Sequence, residues 1–231
     1  MTTTSTTATP LTRNIKVGEL AALHPLATRV FARHQIDFCC GGGRPLSDVC
    51  EKQGLDVDTV MQEIARELAP RENVVRWDQR PITELIDHIV NRYHAGLCEE
   101  LPRLEAMARK VADVHGEKDP VRLPRLLQAV LDLRGELEPH MVKEEQILFP
   151  MIRRGQGSGA NGPVAVMMRE HETAGDLLKD IRELTNDYSV PPDACNTWRA
   201  LWMGLEGLES DLHEHIHLEN NILFPRALAG A

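Results

Sequence analysis

Residues 140–150 read HMVKEEQILFP, and residues 215–225 read HIHLENNILFP. Both fit H-x-x-x-E-x-x-I-L-F-P, 75 positions apart. Upstream, His94 precedes His140 by 46 residues and His171 precedes His215 by 44. Each copy of the unit therefore brings one histidine from an earlier segment and a histidine–glutamate pair from a later one. A matched repeat of this kind predicts two helical hairpins forming a site with pseudo-two-fold symmetry.

On a helix, positions i and i+4 share a face one turn apart. His140 and Glu144 then point the same way, as do His215 and Glu219. The surrounding stripes are apolar: Leu133, Leu137, Ile147 and Met151 around the first pair, and Leu208, Leu212 and Ile222 around the second. Val90, Leu97 and Leu101 flank His94, while Val164, Met167, Ala174 and Leu178 flank His171. Such stripes enter the core of a bundle, so all six polar side chains are expected inside. A lone histidine on an apolar stripe is ordinarily a satisfied core residue, and a single His–Glu pair at this spacing is ordinarily a surface contact. Two matched copies, each with a further histidine at matched distance, ask for a different explanation. Even one unpaired buried polar group costs roughly 1–3 kcal/mol, and a bare carboxylate more. A metal removes that penalty. Six nitrogen and oxygen donors without a cysteine suit iron or manganese better than structural zinc. Two non-haem irons sharing Glu144 and Glu219 as bridges would each hold two of the four histidines. With an oxo or hydroxo bridge each iron reaches five ligands and keeps a position open to small molecules.

The rest of the chain frames this unit. From Pro81 onward the periods are long and helical, over about 82–111, 123–153, 163–186 and 195–224, with short connections. That pattern predicts an all-α protein built on an up-down four-helix bundle over 81–231. Before it come a disordered tail over 1–12, a small helical domain over 13–70 and a linker over 71–80. Within the small domain, helices are expected at 26–34 and at 57–68, the second with Asp56 as N-cap. Apolar residues make up 42% of the chain and aromatic ones only 4%, a mixture that favours helices. The net charge of −9 argues against nucleic acid and anionic membranes as partners. The opening MTTTSTTATP has no signal-peptide pattern, and no apolar run reaches membrane-spanning length. Five irregularly spaced cysteines fit a reducing compartment better than a disulfide framework. A soluble cytoplasmic protein is expected.

Other polar residues are assigned less specific places. His213 and His217 are expected in solvent, His115 in a connection, and His88 off the His94 face. Asp87, seven residues before His94, is offered as an acceptor for a ligating imidazole. Glu170, beside His171, reads either as a residue tuning access to the site or, by preference, as a solvated helix position, and Pro139 as a local opening or kink. Cys39 and Cys40 lie in DFCCGGG, where adjacent cysteines could close a disulfide only in a strained ring. They are either reactive thiols that exchange electrons or pass iron onward, or a tight turn whose thiols merely pack. Cys50, Cys98 and Cys195 read as small buried hydrophobes.

Taken together, HMVKEEQILFPMI, HIHLENNILFPRAL and DFCCGGG resemble the bacterial repair-of-iron-centres di-iron proteins, a branch of the hemerythrin-like bundles. The resemblance runs from about residue 15 to the end. The family's ligand pattern falls on His94, His140, Glu144, His171, His215 and Glu219, unlike the five-histidine site of oxygen-carrying hemerythrin. It implies repair of iron–sulfur clusters damaged by nitric oxide or peroxide, with the di-iron site as an iron source. It also implies damaged iron–sulfur proteins as partners and a homodimer as one option. Two other functions fit the same residues: reductive coupling of nitric oxide at the open positions, and sensing or scavenging of nitric oxide or oxygen.

Overall fold

The structure, a computed structural model, describes residues 11–68 and 75–230. Most of the tail expected over 1–12 and the first part of the linker expected over 71–80 lie outside the described residues. The chain divides into two compact units between Asp78 and Gln79.

The first unit contains α1 (Val17–Leu23), α2 (Ala27–Arg33), α3 (Leu46–Gln53) and α4 (Val57–Glu67). Asp56 caps α4 as its sequence position predicts, accepting the backbone N–H groups of Asp58 and Thr59 at 3.3 Å. Gly54 ends α3 at φ 68°, a left-handed cap that glycine enters without a Cβ clash. Val17, Leu20, Val30, Phe31, Leu46 and Ile64 form the core of this unit.

The second unit is built from four rods. The first is α5 (Ile82–His88), a π-helical segment (Ile89–His94) and α6 (Ala95–His115). The second is α7 (Arg122–Lys143), a π segment (Glu144–Leu148) and α8 (Phe149–Arg153). The third is α9 (Asn161–Leu184), and the fourth is α10 (Asn196–Leu218), a π segment (Glu219–Leu223) and α11 (Phe224–Leu228). α7 packs on α6 and α9, and α10 packs on both as well, which closes the four rods into a ring. Leu101, Leu104, Leu126, Leu133, Leu178, Leu201 and Leu205 fill its centre. At Gly204 the rods come so close that a Cβ would sit 2.5 Å from Cδ2 of the fully buried Leu104.

The π segments sit where the repeat places its glutamates. The Phe149 N–H bonds back to the Glu144 carbonyl and the Phe224 N–H to the Glu219 carbonyl, five residues away instead of four. Pro150 and Pro225 follow directly. Proline has no N–H to donate, and its ring crowds the carbonyl four residues back. The ILFP ending of each copy thus supplies a local reason for a widened turn at the glutamate.

Each widened turn inserts one residue, and three expectations built on a 3.6-residue period fail beside these turns, although Ile222, which matches Ile147 in the repeat, is buried as expected. Ile147 is 53% exposed, while Leu148 and Phe149 turn inward. Ile89 is buried where Val90 was expected. Asp87 leaves the His94 face, becomes exposed and pairs with Arg153. Pro139 does not break its rod: α7 runs through it to Lys143. Among the described residues no helix is long and apolar enough to cross a membrane.

Candidate metal centre

The structure brings all six side chains singled out in the sequence together. His94, His140, Glu144, His171, His215 and Glu219 are each at most 2% exposed. They form two groups, His94–Glu144–His215–Glu219 and His140–Glu144–His171–Glu219, with donor atoms within 4.8 Å of one another in each. Both glutamates belong to both groups, and each group takes one histidine from each hairpin. Glu144 Oε2 lies 3.4 Å from His94 Nε2 and 3.3 Å from His140 Nε2. Glu219 lies 3.1 Å from the Nε2 atoms of both His171 and His215. His140 Nε2 and His171 Nε2 face each other at 3.0 Å.

These donors fit a metal. Both carboxylate oxygens of Glu144 and of Glu219, with Nε2 of His94 and of His215, are buried without a hydrogen-bond partner among the described residues. A core does not keep such atoms bare without a large desolvation cost. An ion bound between them would satisfy all of them through nitrogen and oxygen donors. In the metal-free protein, protons carry the compensating charge. Burial opposes the charged form of His140, but the Glu144 carboxylate outweighs it and the imidazole is raised to about 9. Burial and the Glu219 charge push the Glu144 carboxyl up, and the neighbouring imidazoles more than reverse this. Glu219 also suffers burial, yet His215 and His171 hold it well below the usual carboxylate range.

The outer face of the imidazoles is equally structured. His94 Nδ1 lies 2.8 Å from Glu145, His140 Nδ1 lies 2.9 Å from Glu170, and His171 Nδ1 lies 2.8 Å from the Asn220 amide oxygen. An Nδ1–H donated outward leaves the Nε2 lone pair pointing into the site. The phenylalanines of the repeat stack on the earlier histidine of their own hairpin. Phe149 lies against His94 at 5.8 Å and Phe224 against His171 at 6.0 Å.

Tyr93 stacks on His215 with ring centroids 5.3 Å apart. Four of these neighbours of the imidazoles escaped the sequence reading. Glu170 is half-buried and holds His140, where a solvated position was expected. Glu145, Asn220 and Tyr93 were not singled out at all. A signal existed for each: Glu145 and Asn220 directly follow the two repeat glutamates, and Tyr93 and Glu170 directly precede His94 and His171. His217 corrects a further expectation, being 3% exposed with Nδ1 3.1 Å from the Asn221 amide. Ile216 and Leu218 on either side of it are buried as well, so this turn of the rod is enclosed all round. His115 closes α6 instead of lying in a connection.

In the first unit Cys39 is buried, Cys40 is half-buried, and their sulfurs lie 3.9 Å apart without a disulfide between them. Asp37 Oδ1 accepts the backbone N–H groups of Cys39 and Cys40 at 3.1 and 2.9 Å, and the Cys39 thiol at 3.3 Å. The three side chains form another close donor group. The Cys40 thiol, burial and Asp37 together push the Cys39 thiol well above its ordinary range. Cys50 is buried as expected, but Cys98 and Cys195 are exposed. Cys98 lies off the inward face of α6, and Cys195 is the N-cap of α10.

Comparison with known proteins places this arrangement. A model described as the hemerythrin HHE cation binding domain matches residues 85–227. A second, the ScdA_N domain of unknown function (DUF542), matches residues 13–68. The chain is 48% identical over 220 residues to the iron-sulfur cluster repair protein YtfE of Yersinia pseudotuberculosis serotype IB (strain PB1/+), covering 94% of this chain and 98% of that one. The YtfE protein of Yersinia pestis (strain Pestoides F) matches with the same identity and coverage. With its buried histidine–glutamate cluster, its hemerythrin-type bundle and near full-length identity to these relatives, the chain belongs to the YtfE family of iron-sulfur cluster repair proteins.

Proposed function

We propose that this protein repairs damaged iron–sulfur clusters by supplying iron from a two-iron site. His94 and His215 would hold one ion, His140 and His171 would hold the other, and Glu144 and Glu219 would serve both, leaving room for an oxygen ligand from solvent. The observation that carries this reading is the sharing of both bare, buried carboxylates by two four-residue donor groups. That the 48% identical Yersinia relatives are iron-sulfur cluster repair proteins supports the direction of the chemistry. A nitrogen and oxygen donor set also holds iron less tenaciously than thiolates do, which suits delivery. Cys39, Cys40 and Asp37 offer a softer donor group through which iron or electrons would pass. The test loads the full chain with labelled iron and mixes it with an enzyme whose cluster has been damaged. Label and activity should both appear in the recipient; label that stays on the donor ends the proposal.

A second reading rests on the donor count. Four protein side chains per ion leave coordination positions for small molecules, so two nitric oxide molecules could be reduced there by two electrons and two protons to nitrous oxide and water. Sustained nitrous oxide production with an electron donor supports it, and stoichiometric binding without turnover excludes it.

A further inference from the structure

The two hairpins match in the six inward donors but not in what holds those donors from behind. In the repeat register Glu145 corresponds to Asn220, and Glu170 corresponds to Tyr93. His140 therefore meets the carboxylate of Glu170, which is itself fixed by an ion pair with Lys143. His215, its counterpart, meets the flat face of Tyr93, with ring centroids 5.3 Å apart and planes 5° from parallel. A ring face orients an imidazole but accepts nothing from its edge, and His215 Nδ1 is buried with no hydrogen-bond partner among the described residues. The other pair differs too. His94 leans on Glu145, whose side chain is 44% exposed, while Glu170 is only 22% exposed. His171 leans on the uncharged amide oxygen of Asn220.

Sorted by donor group, the asymmetry falls between the two ion positions. At the His140–His171 position both imidazoles are held at Nδ1, one of them by a carboxylate that a lysine fixes in place. At the His94–His215 position one imidazole is held by a half-exposed carboxylate and the other by no acceptor. An acceptor at Nδ1 fixes the tautomer, aims the ring and makes Nε2 a better donor, and losing such a partner typically costs about 10–100-fold in metal affinity. The geometry points to inequivalent irons: the ion between His94 and His215 is the exchangeable one, and the ion between His140 and His171 is the retained one. Glu170 and Lys143 act as positioning residues for the retained ion, and Tyr93 marks the exchangeable side. This inference rests on the two-iron reading above and adds which iron is given away.

The experiment uses the full chain loaded anaerobically with ferrous iron. A colorimetric ferrous chelator is added, crystals are grown after half the iron has left, and anomalous scattering at the iron edge gives the occupancy of each position. Iron should leave in two phases with rates about 10-fold or more apart, and the surviving signal should lie between His140 and His171. Glu170→Ala should bring the slow phase towards the fast one, with Glu170→Gln in between; Glu145→Ala should speed only the fast phase. Equal occupancies after half-depletion, or survival between His94 and His215, would overturn the inference. So would a Glu170→Ala protein that keeps the slow phase unchanged. Failure to load a second ion would instead overturn the two-iron reading, and it is seen before any chelator is added.

Discussion

Two buried acidic sites in the same bundle solve the problem of a carboxylate in a core in opposite ways. Farther along α9 and α10 from the histidines, Glu209 is 4% exposed, and Arg182 reaches it with Nε 3.0 and 3.1 Å from the two carboxylate oxygens. The guanidinium of Arg182 also covers the Tyr188 ring at 4.9 Å. The chain supplies its own cation there. Glu144 and Glu219 are equally hidden, but among the described residues they pair with imidazoles and with no lysine or arginine, and their oxygens have no hydrogen-bond partner. A protein that can set an arginine against one buried carboxylate and leaves two others to imidazoles has room at the second place for a cation from outside.

The contrast can be broken or sharpened by measurement. The largest effect is expected for Glu219→Ala or Glu144→Ala: each removes a donor from both groups, so iron content measured by elemental analysis should fall for both ions together. Next comes removal of the metal from the intact chain. At free metal 1,000-fold above its Kd, bound metal adds about 4 kcal/mol, and the Tm should drop accordingly on chelation. Arg182→Ala should do the reverse of the glutamate changes. Stripping Glu209 of its cation should cost roughly 2–3 kcal/mol in denaturant unfolding, below the range for fully buried pairs because Arg182 is a third exposed, with iron content unchanged.

The pH dependence separates the two sites further. In the metal-free protein the His140 imidazole is raised from 6.5 to about 9, so its stabilising contribution is complete below pH 6.5 and is lost as pH rises through 9. The depressed carboxyls of Glu144 and Glu219 contribute above the ordinary carboxylate range and lose that contribution in acid. Thermal melts between pH 6 and 9 should therefore show falling stability for the metal-free chain. The loaded chain should be flatter, since the ion has replaced the proton on His140. The smallest effect is expected for His213→Ala. This half-buried neighbour of the ligands belongs to neither donor group, so iron content should not move; a large loss would show that the phase of the fourth rod has been misread.

Much of this site was legible in one sequence because its six candidate donors recur at matched spacings. The i,i+4 geometry of His140–Glu144 and His215–Glu219 is local, and a repeated pattern with four histidines on apolar faces is hard to satisfy any other way. What eluded the reading turns on helix phase. Asp87 and Val90 were placed by assuming an unbroken 3.6-residue period, and the π turn at 89–94 invalidated that assumption; Ile147 is exposed while its repeat counterpart Ile222 is buried after the same kind of turn, so packing around each rod decides there. The prolines of the ILFP motif hinted at the two later turns. The turn at 89–94 runs straight into Ala95, with no adjacent proline to announce it.

Local spacing alone determined which six side chains face inward and that two hairpins carry them, because periodicity along a helix is set by backbone geometry. Pairing was another matter. That His94 joins His215, that His140 joins His171, and that Glu170 and Tyr93 stand in the same place behind different imidazoles depend on contacts between segments distant in the chain. Those contacts are decided by how four rods pack against one another, and no spacing within a single rod encodes them.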